Sequence, residues 1–434
     1  MSAAVRSQRA TPIGHGLPRL LAGIHATEPV SLTEHQALHG LLPARVWRRA
    51  PGLIELVEQS GMRGRGGGRF PTGDKLRAVS AQRGRPVVVV NALEGEPVSG
   101  KDKVLLRHAP HLVLDGAAAA AAVLGARRAI VAVSADAVTE QRSLAKALAE
   151  RERAATDRNV ALSVALVPPG FVSGEETAIL RFLNGGPPKP TARPPLPHQH
   201  GLGGAPTLVQ NAETLAQLAL IARLGPDWFR TLGTPAEPGS MLVTVSGAVH
   251  TPGVLEIAVG TPLAAVIQRA GGFTERPKAL LLGGYFGTWV PAAAAAALRL
   301  SETDLACVGA RLGAGAIVAL PDSACAVTET ARVTRYLAEQ SAHQCGPCTH
   351  GLAAAAAALE RLAQRHPADG REHPELVRIL RQVNGRGACR HPDGAVRFIS
   401  SALEVFADEV AQHLAGRCGL RAAGILPVTS QRRT

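Results

Sequence analysis

Val87-Val88-Val89-Val90-Asn91-Ala92-Leu93-Glu94-Gly95-Glu96-Pro97 is the stretch whose reading decides the fold. Four consecutive β-branched residues cannot alternate between core and water. They describe a strand buried on both faces, the situation of a parallel sheet covered by helices. Polar residues begin where the strand ends. Ligands of open parallel sheets bind beyond the carboxyl ends of the strands, so Asn91, Glu94 and Glu96 are candidate site residues. A helix cap and a solvated turn would use the same residue types.

Outward from this strand, Pro110 to Gly125 reads as a helix carrying Ala117 to Ala122, and Ala129 to Val133 as a second buried strand. A Glu- and Arg-rich helix follows, and Val160 to Val167 reads as a third buried strand. This alternation implies right-handed crossovers and an α/β, doubly wound sheet. Gly174-Glu175-Glu176-Thr177 follows the third strand as Asn91 to Glu96 follows the first, which predicts one shared crevice. Upstream, a helix over Gly52 to Gln59 leads into Gly61-Met62-Arg63-Gly64-Arg65-Gly66-Gly67-Gly68-Arg69-Phe70-Pro71-Thr72-Gly73-Asp74-Lys75. Glycines let backbone N–H groups approach an anion, and Arg65 and Lys75 can neutralise phosphate. A flexible surface turn is the plain alternative. The loop is not a dinucleotide fingerprint, because no strand precedes it and Arg69 occupies the third glycine of G-x-G-x-x-G.

Residues 1–50 read as an N-terminal extension with one short helix after Ser31, and 51–238 as the ligand-binding α/β domain. Gly185 to Pro206, dense in Pro and Gly, should wrap over a surface. Met241 to Val249 and Gly253 to Val259 are short β-rich runs, followed by a helix over Pro262 to Ala270. They suit a β-grasp module at 239–326. Residues 327–416 read as helical and 417–434 as a tail. The helical part contains Cys345-Gly346-Pro347-Cys348, with Cys389 further on. C-x-x-C serves a redox dithiol, a zinc half-site or an iron–sulphur half-site, and no thioredoxin-like βαβ unit surrounds this one. Cys307, Cys325 and Cys418 show no spacing logic and read as buried or incidental thiols.

The formal charge of +13 raises the question of nucleic acid. The Arg residues are scattered and no aromatic-interleaved basic stripe is present, so no nucleic-acid partner is expected. A basic surface that docks an acidic protein is the plainer reading. No apolar run reaches the length of a membrane span, and no apolar segment follows Arg6 as a secretory signal would require. Six cysteines in 434 residues do not make a disulfide framework. The expected compartment is the cytoplasm, with peripheral association through a membrane complex left open.

Taken in order, these motifs resemble the NADH-binding flavoprotein subunit of respiratory complex I and the related diaphorase subunits of hydrogenases and formate dehydrogenases. Lys101-Asp102, Arg107-His108, Pro110-His111, Gly201-Leu202, Pro206-Thr207 and Asn211-Ala212-Glu213-Thr214 extend the match. The resemblance implies an FMN-binding α/β domain, a ubiquitin-like β-grasp (SLBB-like) domain and a helical bundle holding a [4Fe–4S] cluster. It implies FMN contacts at Gly64, Arg65, Gly66, Lys75, Asn91, Glu94, Asn211 and Thr214. It sets NAD(H) against Phe70, Glu96, Glu175 and Glu176, with Glu96 and Glu176 as the catalytic carboxylates. The implied activity is an NADH dehydrogenase: hydride from NAD(P)H to FMN, then electrons through the cluster to a ferredoxin-like or quinone-reductase partner.

Departures from the family pattern bear on each part. Leu93 stands where the family has Asp, Gln210 where it has Asn, and Arg69 where it has Gly, so the Arg69 side chain must find room near the cofactor. Leu76, Ala78 and Leu196 replace aromatic residues, and losing two stacking partners at about 0.5–1.5 kcal/mol each would weaken nucleotide binding roughly tenfold or more. Arg193 keeps the positive charge of a family Lys. The family's C-x-x-C-x-x-C begins here with Ala342, leaving Cys345, Cys348 and Cys389 as thiolate ligands. His343 adjoins the substituted position and is the candidate fourth ligand, because imidazole can replace thiolate on iron. A three-iron centre or a Cys₃His zinc site uses the same residues. The alternative function is a non-catalytic paralogue, a structural or docking subunit. Leu93, Ala342 and the missing aromatics favour it, and Gly64-Arg65-Gly66, Lys75, Glu94 and Glu175-Glu176 oppose it.

Overall fold

In a computed structural model, residues 16–24, 28–43, 52–157, 159–364, 371–420 and 423–428 are described. The rest of the expected N-terminal extension and C-terminal tail lies outside them. The chain forms two compact units, one of Met1–Gly95, Gly100–Val243 and Val254–Thr261, the other of Glu96–Ser99, Thr244–Gly253 and Pro262–Thr434.

The first unit begins with α1 (Leu32–His39), whose N-cap Ser31 and Glu34 form a reciprocal capping box. α2 (Gly52–Ser60), α3 (Thr72–Ser80) and β1 (Val87–Ala92) follow, then α4 (Lys101–His108), α5 (Pro110–Leu124), β2 (Arg128–Ser134), α6 (Val138–Arg153) and β3 (Ala161–Val167). α7 (Glu176–Leu183), β4 (Thr207–Asn211) and α8 (Ala212–Arg230) complete the α/β layers. The four strands are parallel, in the order β3-β2-β1-β4.

The valine run is buried on both faces, as its composition requires. Val88, Val90 and Ala92 enter the larger core, while Val89 joins Ala132, Val209, Ile179 and Leu180 in a second cluster on the opposite face. β3 differs from its predicted burial. It is an edge strand, and most of its residues are half-buried or exposed.

β4 is too short and too mixed to be read from apolar periodicity. It nevertheless pairs along β1 from Val87↔Thr207 to Asn91↔Asn211. The Pro- and Gly-rich segment before it has only the short 3-10 turn Leu202–Gly204 between residues 185 and 206.

The second unit carries a mixed sheet. Within it Thr244–Gly247 of β5 (Ser240–Gly247) runs parallel to β9 (Ala316–Pro321). β9 is antiparallel to β7 (Pro277–Leu282), which is antiparallel to β8 (Thr288–Pro291). β6 (Gly253–Ala258), α9 (Leu263–Arg269), α10 (Ala292–Ala295) and α11 (Glu302–Ala306) lie between these in sequence. The helical region comprises α12 (Ala326–Glu339), a π-helical turn over Pro347–Leu352, α13 (Ala353–Ala363), α14 (Glu372–Val383), α15 (His391–Val405) and α16 (Ala407–Leu414). Beyond α16 the tail is pinned to α12, because Glu329 accepts from Gly424 N at 2.7 Å and Leu426 N at 3.1 Å.

One close approach organises the first unit. A Cβ placed on Gly116 of α5 would lie 1.9 Å from the Leu215 carbonyl oxygen of α8. Only glycine lets the two helix backbones meet there. Gly116→Ala should therefore destabilise the protein by about 3 kcal/mol, measured by urea or thermal unfolding. Without that contact the change would stabilise α5 by about 1 kcal/mol, so a neutral or raised stability would contradict it.

Candidate active site and metal centre

The chain leaves β1 toward β2 on one side and later adds β4 on the other, so the sheet's topological switch point lies between β1 and β4. Asn91 and Asn211 stand opposite each other at this point. Asn91 donates from Nδ2 to the Gly174 carbonyl at 2.8 Å, tying β1 to the turn before α7. Asn211 is the N-cap of α8. Its Oδ1 accepts from Glu213 N and from Lys101 Nζ, both at 3.1 Å, and its Nδ2 donates to Asp102 Oδ2 at 2.5 Å.

Lys101 also meets Asp102 at 2.8 Å and Glu213 at 3.1 Å, with all three side chains buried. Burial works against its charge, but Asp102, Glu213 and Glu94 together raise its pKa above the ordinary value. Glu94 accepts from Asp102 N at 3.1 Å and Lys103 N at 2.9 Å, so it caps α4, whose own N-cap is Gly100.

The glycine loop is fastened to the same place. Gly64 N donates to Phe70 O at 2.9 Å, and Arg65 N donates to Thr214 Oγ1 at 2.8 Å. The Arg65 guanidinium, predicted to neutralise a phosphate, is engaged within the protein. It is buried, donates from Nη2 to Ser240 O at 2.9 Å and from Nη1 to Arg63 O at 3.0 Å, and lies 3.8 Å from Glu213. Burial pulls its pKa down to about 10, with Arg69 adding and Glu213 and Glu237 opposing. Arg69, expected beside the cofactor, donates to Glu237 at 3.3 Å instead.

Lys75 donates to Glu176 Oε2 at 2.7 Å and to the Val209 carbonyl of β4 at 2.8 Å. Glu175 caps α7 through Thr177 N at 2.8 Å and Ala178 N at 3.2 Å. Arg193 pairs with both Glu175 and Glu176. Phe70 is 59% exposed.

The residues fit FMN. Neither a positive φ nor crowding demands glycine at Gly66, Gly67 or Gly68, since a Cβ at the last two would meet nothing within 4 Å. Among the described residues none of these three N–H groups donates within the protein. Bare backbone donors, the Lys75 ammonium and the N-terminus of α8 make a donor set for a phosphate.

Three further positions singled out in the sequence are held by packing or hydrogen bonds. Leu76 is 0% exposed in the core. Leu93 joins the apolar cluster of Val89, Ala132 and Val209. Glu96 belongs to the second unit, where it accepts from Tyr285 N at 2.8 Å.

In the second unit Cys348 is buried beside Cys345 and Cys389, and the Ala342 backbone N–H faces its sulphur. Burial, then the two neighbouring sulphurs, push the Cys348 thiol up to about 12. Such a trio becomes thiolate when a cation joins it, which fits an iron–sulphur cluster. His343, the candidate fourth ligand, adjoins Ala342 on the same loop. The histidine is exposed, has φ 53°, and sets its ring 3.4 Å from Ser341 Oγ. Ala342 is buried at the substituted position.

A second group was missed from sequence. Cys325, His413 and Cys418 are buried with their ligand atoms within 4.8 Å of one another. The His413-x₄-Cys418 spacing was the available signal.

Fold and site together define a flavin and iron–sulphur electron-transfer protein. Residues 57–220 match the Nuo51 FMN-binding domain, 242–284 the SLBB domain, and 328–413 the iron–sulphur binding region of NADH-ubiquinone oxidoreductase-F. The chain is 31% identical over 423 residues to the F 2 subunit of NADH-quinone oxidoreductase from Rhizobium meliloti, covering 92% of this chain and 98% of that protein. It is 31% identical over 401 residues to the corresponding F subunit of Streptomyces coelicolor, covering 88% and 87%. A chain of an NAD⁺-reducing [NiFe]-hydrogenase, solved in the H₂-reduced state, superposes with a TM-score of 0.80 at 29% identity, covering 97% of this chain and 69% of that one. The chain belongs to the family of NADH-quinone oxidoreductase F subunits.

Two outcomes test the assignments. Lys75→Ala removes a charge-assisted contact of about 1.5–3 kcal/mol, so FMN should bind roughly tenfold to hundredfold more weakly in a flavin titration. Ala342→Cys should raise iron toward four atoms per chain and slow cluster loss in air, read by iron analysis and visible absorbance.

Proposed function

We propose that this chain is the NADH-oxidising component of a multi-subunit electron-transfer assembly. The observation that carries this reading is the convergence of Lys75, Asn91, Asn211 and Thr214 at the β1/β4 switch point, in a chain aligned with an NADH-quinone oxidoreductase relative along nearly its whole length. FMN, when bound, accepts a hydride from NADH and returns its two electrons one at a time to an iron–sulphur cluster.

The residues supply binding and orientation. Gly66 to Gly68, Lys75 and the start of α8 would hold the phosphate of FMN, and Asn91 and Asn211 fix the two strand ends beside it. Gly64 and Thr214 hold the loop in register through Phe70 and Arg65. Glu94 acts by holding α4. Phe70, Glu175, Glu176 and Arg193 form the nucleotide side, with Glu176 the carboxylate linked to Lys75. Glu96, the other carboxylate expected to be catalytic, accepts from Tyr285 N. Cys345, Cys348 and Cys389 hold the cluster. His343 is the proposed fourth ligand.

We further assign residues 51–238 to the flavin and nucleotide part, 239–326 to the β-grasp part and 327–416 to the cluster part. Among the described residues no helix is long and apolar enough to cross a membrane. The proposed setting is cytoplasmic, with a ferredoxin-like or quinone-reductase partner and any membrane association made through the assembly.

Anaerobic titration of the flavin-loaded protein with NADH tests the reading. Flavin absorbance should bleach, followed by the cluster signal in electron paramagnetic resonance. Glu176→Gln should lower the bleaching rate more than FMN content. Bound flavin that NADH leaves oxidised would overturn the proposal in favour of a docking role.

A further inference from the structure

Cys325, His413 and Cys418 take no part in the function above. Cys325 is the N-cap of α12, His413 lies in the last turn of α16, and Cys418 follows in the tail. All three are buried, their ligand atoms lie within 4.8 Å of one another, and Cys325 Sγ is 3.1 Å from His413 Nε2. We propose that they bind one zinc(II) ion through a ligand set of their own, distinct from the iron–sulphur cysteines.

The donor set suits the ion. Two thiolates and one imidazole are borderline-soft ligands, and zinc–ligand distances of about 2.0–2.3 Å set tetrahedral donors about 3.3–3.8 Å apart, within the spread found here. Zinc(II) replaces the two thiol protons, which leave to solvent, and two thiolates with one zinc(II) sum to zero charge. A buried site tolerates a neutral sum far better than lone thiolates.

The surroundings orient the ligands. Cys325 Sγ accepts from Thr328 N at 3.4 Å and Thr328 Oγ1 at 3.1 Å, at the N-terminus of a 14-residue helix whose dipole favours negative sulphur. His413 presents Nε2 to Cys325. Nearby Glu409 is engaged by Lys278 and by Ala326 N at 2.8 Å, so the fourth position falls to a water or small anion.

A disulfide between Cys325 and Cys418 would use the same sulphurs but would leave the aim of His413 without purpose. The ion would join the start of α12, the end of α16 and the tail. That is a structural cross-link between segments otherwise joined by hydrogen bonds and packing.

The test uses the full chain purified anaerobically with FMN and its cluster. Metal analysis should find about one zinc per chain. Cys325→Ser and His413→Ala should each remove it while iron and FMN stay unchanged, and Cys348→Ser should lose iron and keep zinc. Cobalt(II) exchanged into the unmutated protein should give sulphur-to-cobalt charge-transfer bands and tetrahedral d–d bands, which keeps the proposal open to test if a variant fails to fold. A Cys325–Cys418 disulfide in non-reducing peptide maps would overturn it. So would free thiols that take up neither zinc nor cobalt under reducing conditions. Loss of iron from Cys325→Ser in a chain without zinc would also overturn it, by assigning the thiol to the cluster.

Discussion

Asn91 and Asn211 stand opposite each other at the ends of two parallel strands, and the polar side of the first unit is arranged around that register. Strand side chains alternate faces, so a slip of one residue would move Val88 and Val90 out of the larger core and turn Asn91 away from Gly174. The register is reinforced by charge. Asn211 binds Lys101 and Asp102, Lys101 binds Glu213, and Glu213 accepts Leu242 N at 2.8 Å. Lys101, Asp102 and Glu213 are buried and partnered and Asn211 is half-buried, so removing one of the charges would leave the others uncompensated.

Much of this arrangement was legible because the sequence states it locally. The valine run, the alanine-rich helix and the polar residues at the strand end each carry their own period or punctuation. β3 and β4 were less legible because their burial is decided by sheet order. Val160 to Val167 is as apolar in composition as a central strand but lies at the edge, whereas Thr207–Asn211 is short and ends in amides yet pairs with β1. Arg65 shows the same limit at the site. A basic residue in a glycine loop points to phosphate by composition, but Ser240, supplied from far along the chain, takes its guanidinium. Cys325 was opaque for a related reason, since its partners His413 and Cys418 come from the other end of the helical region.

The departures from the family pattern read differently once their surroundings are known. Leu93 is absorbed by apolar packing against Val89 and Val209, so the substitution is accommodated in the core. Arg69 is absorbed by Glu237. Ala342 differs, since it removes a thiol and the adjacent histidine lies 3.4 Å from Ser341 Oγ. The flavin part has thus repacked around its changes, while the cluster part carries one fewer thiol.

The pairing of Lys75 with Glu176 has a consequence for assembly. The ammonium is already neutralised within the protein, by a carboxylate that also reaches Arg193. An incoming phosphate therefore exchanges one anionic partner for another instead of meeting an isolated positive charge. The folded polypeptide carries this charge already balanced, so release of the carboxylate would be part of any phosphate uptake at Lys75.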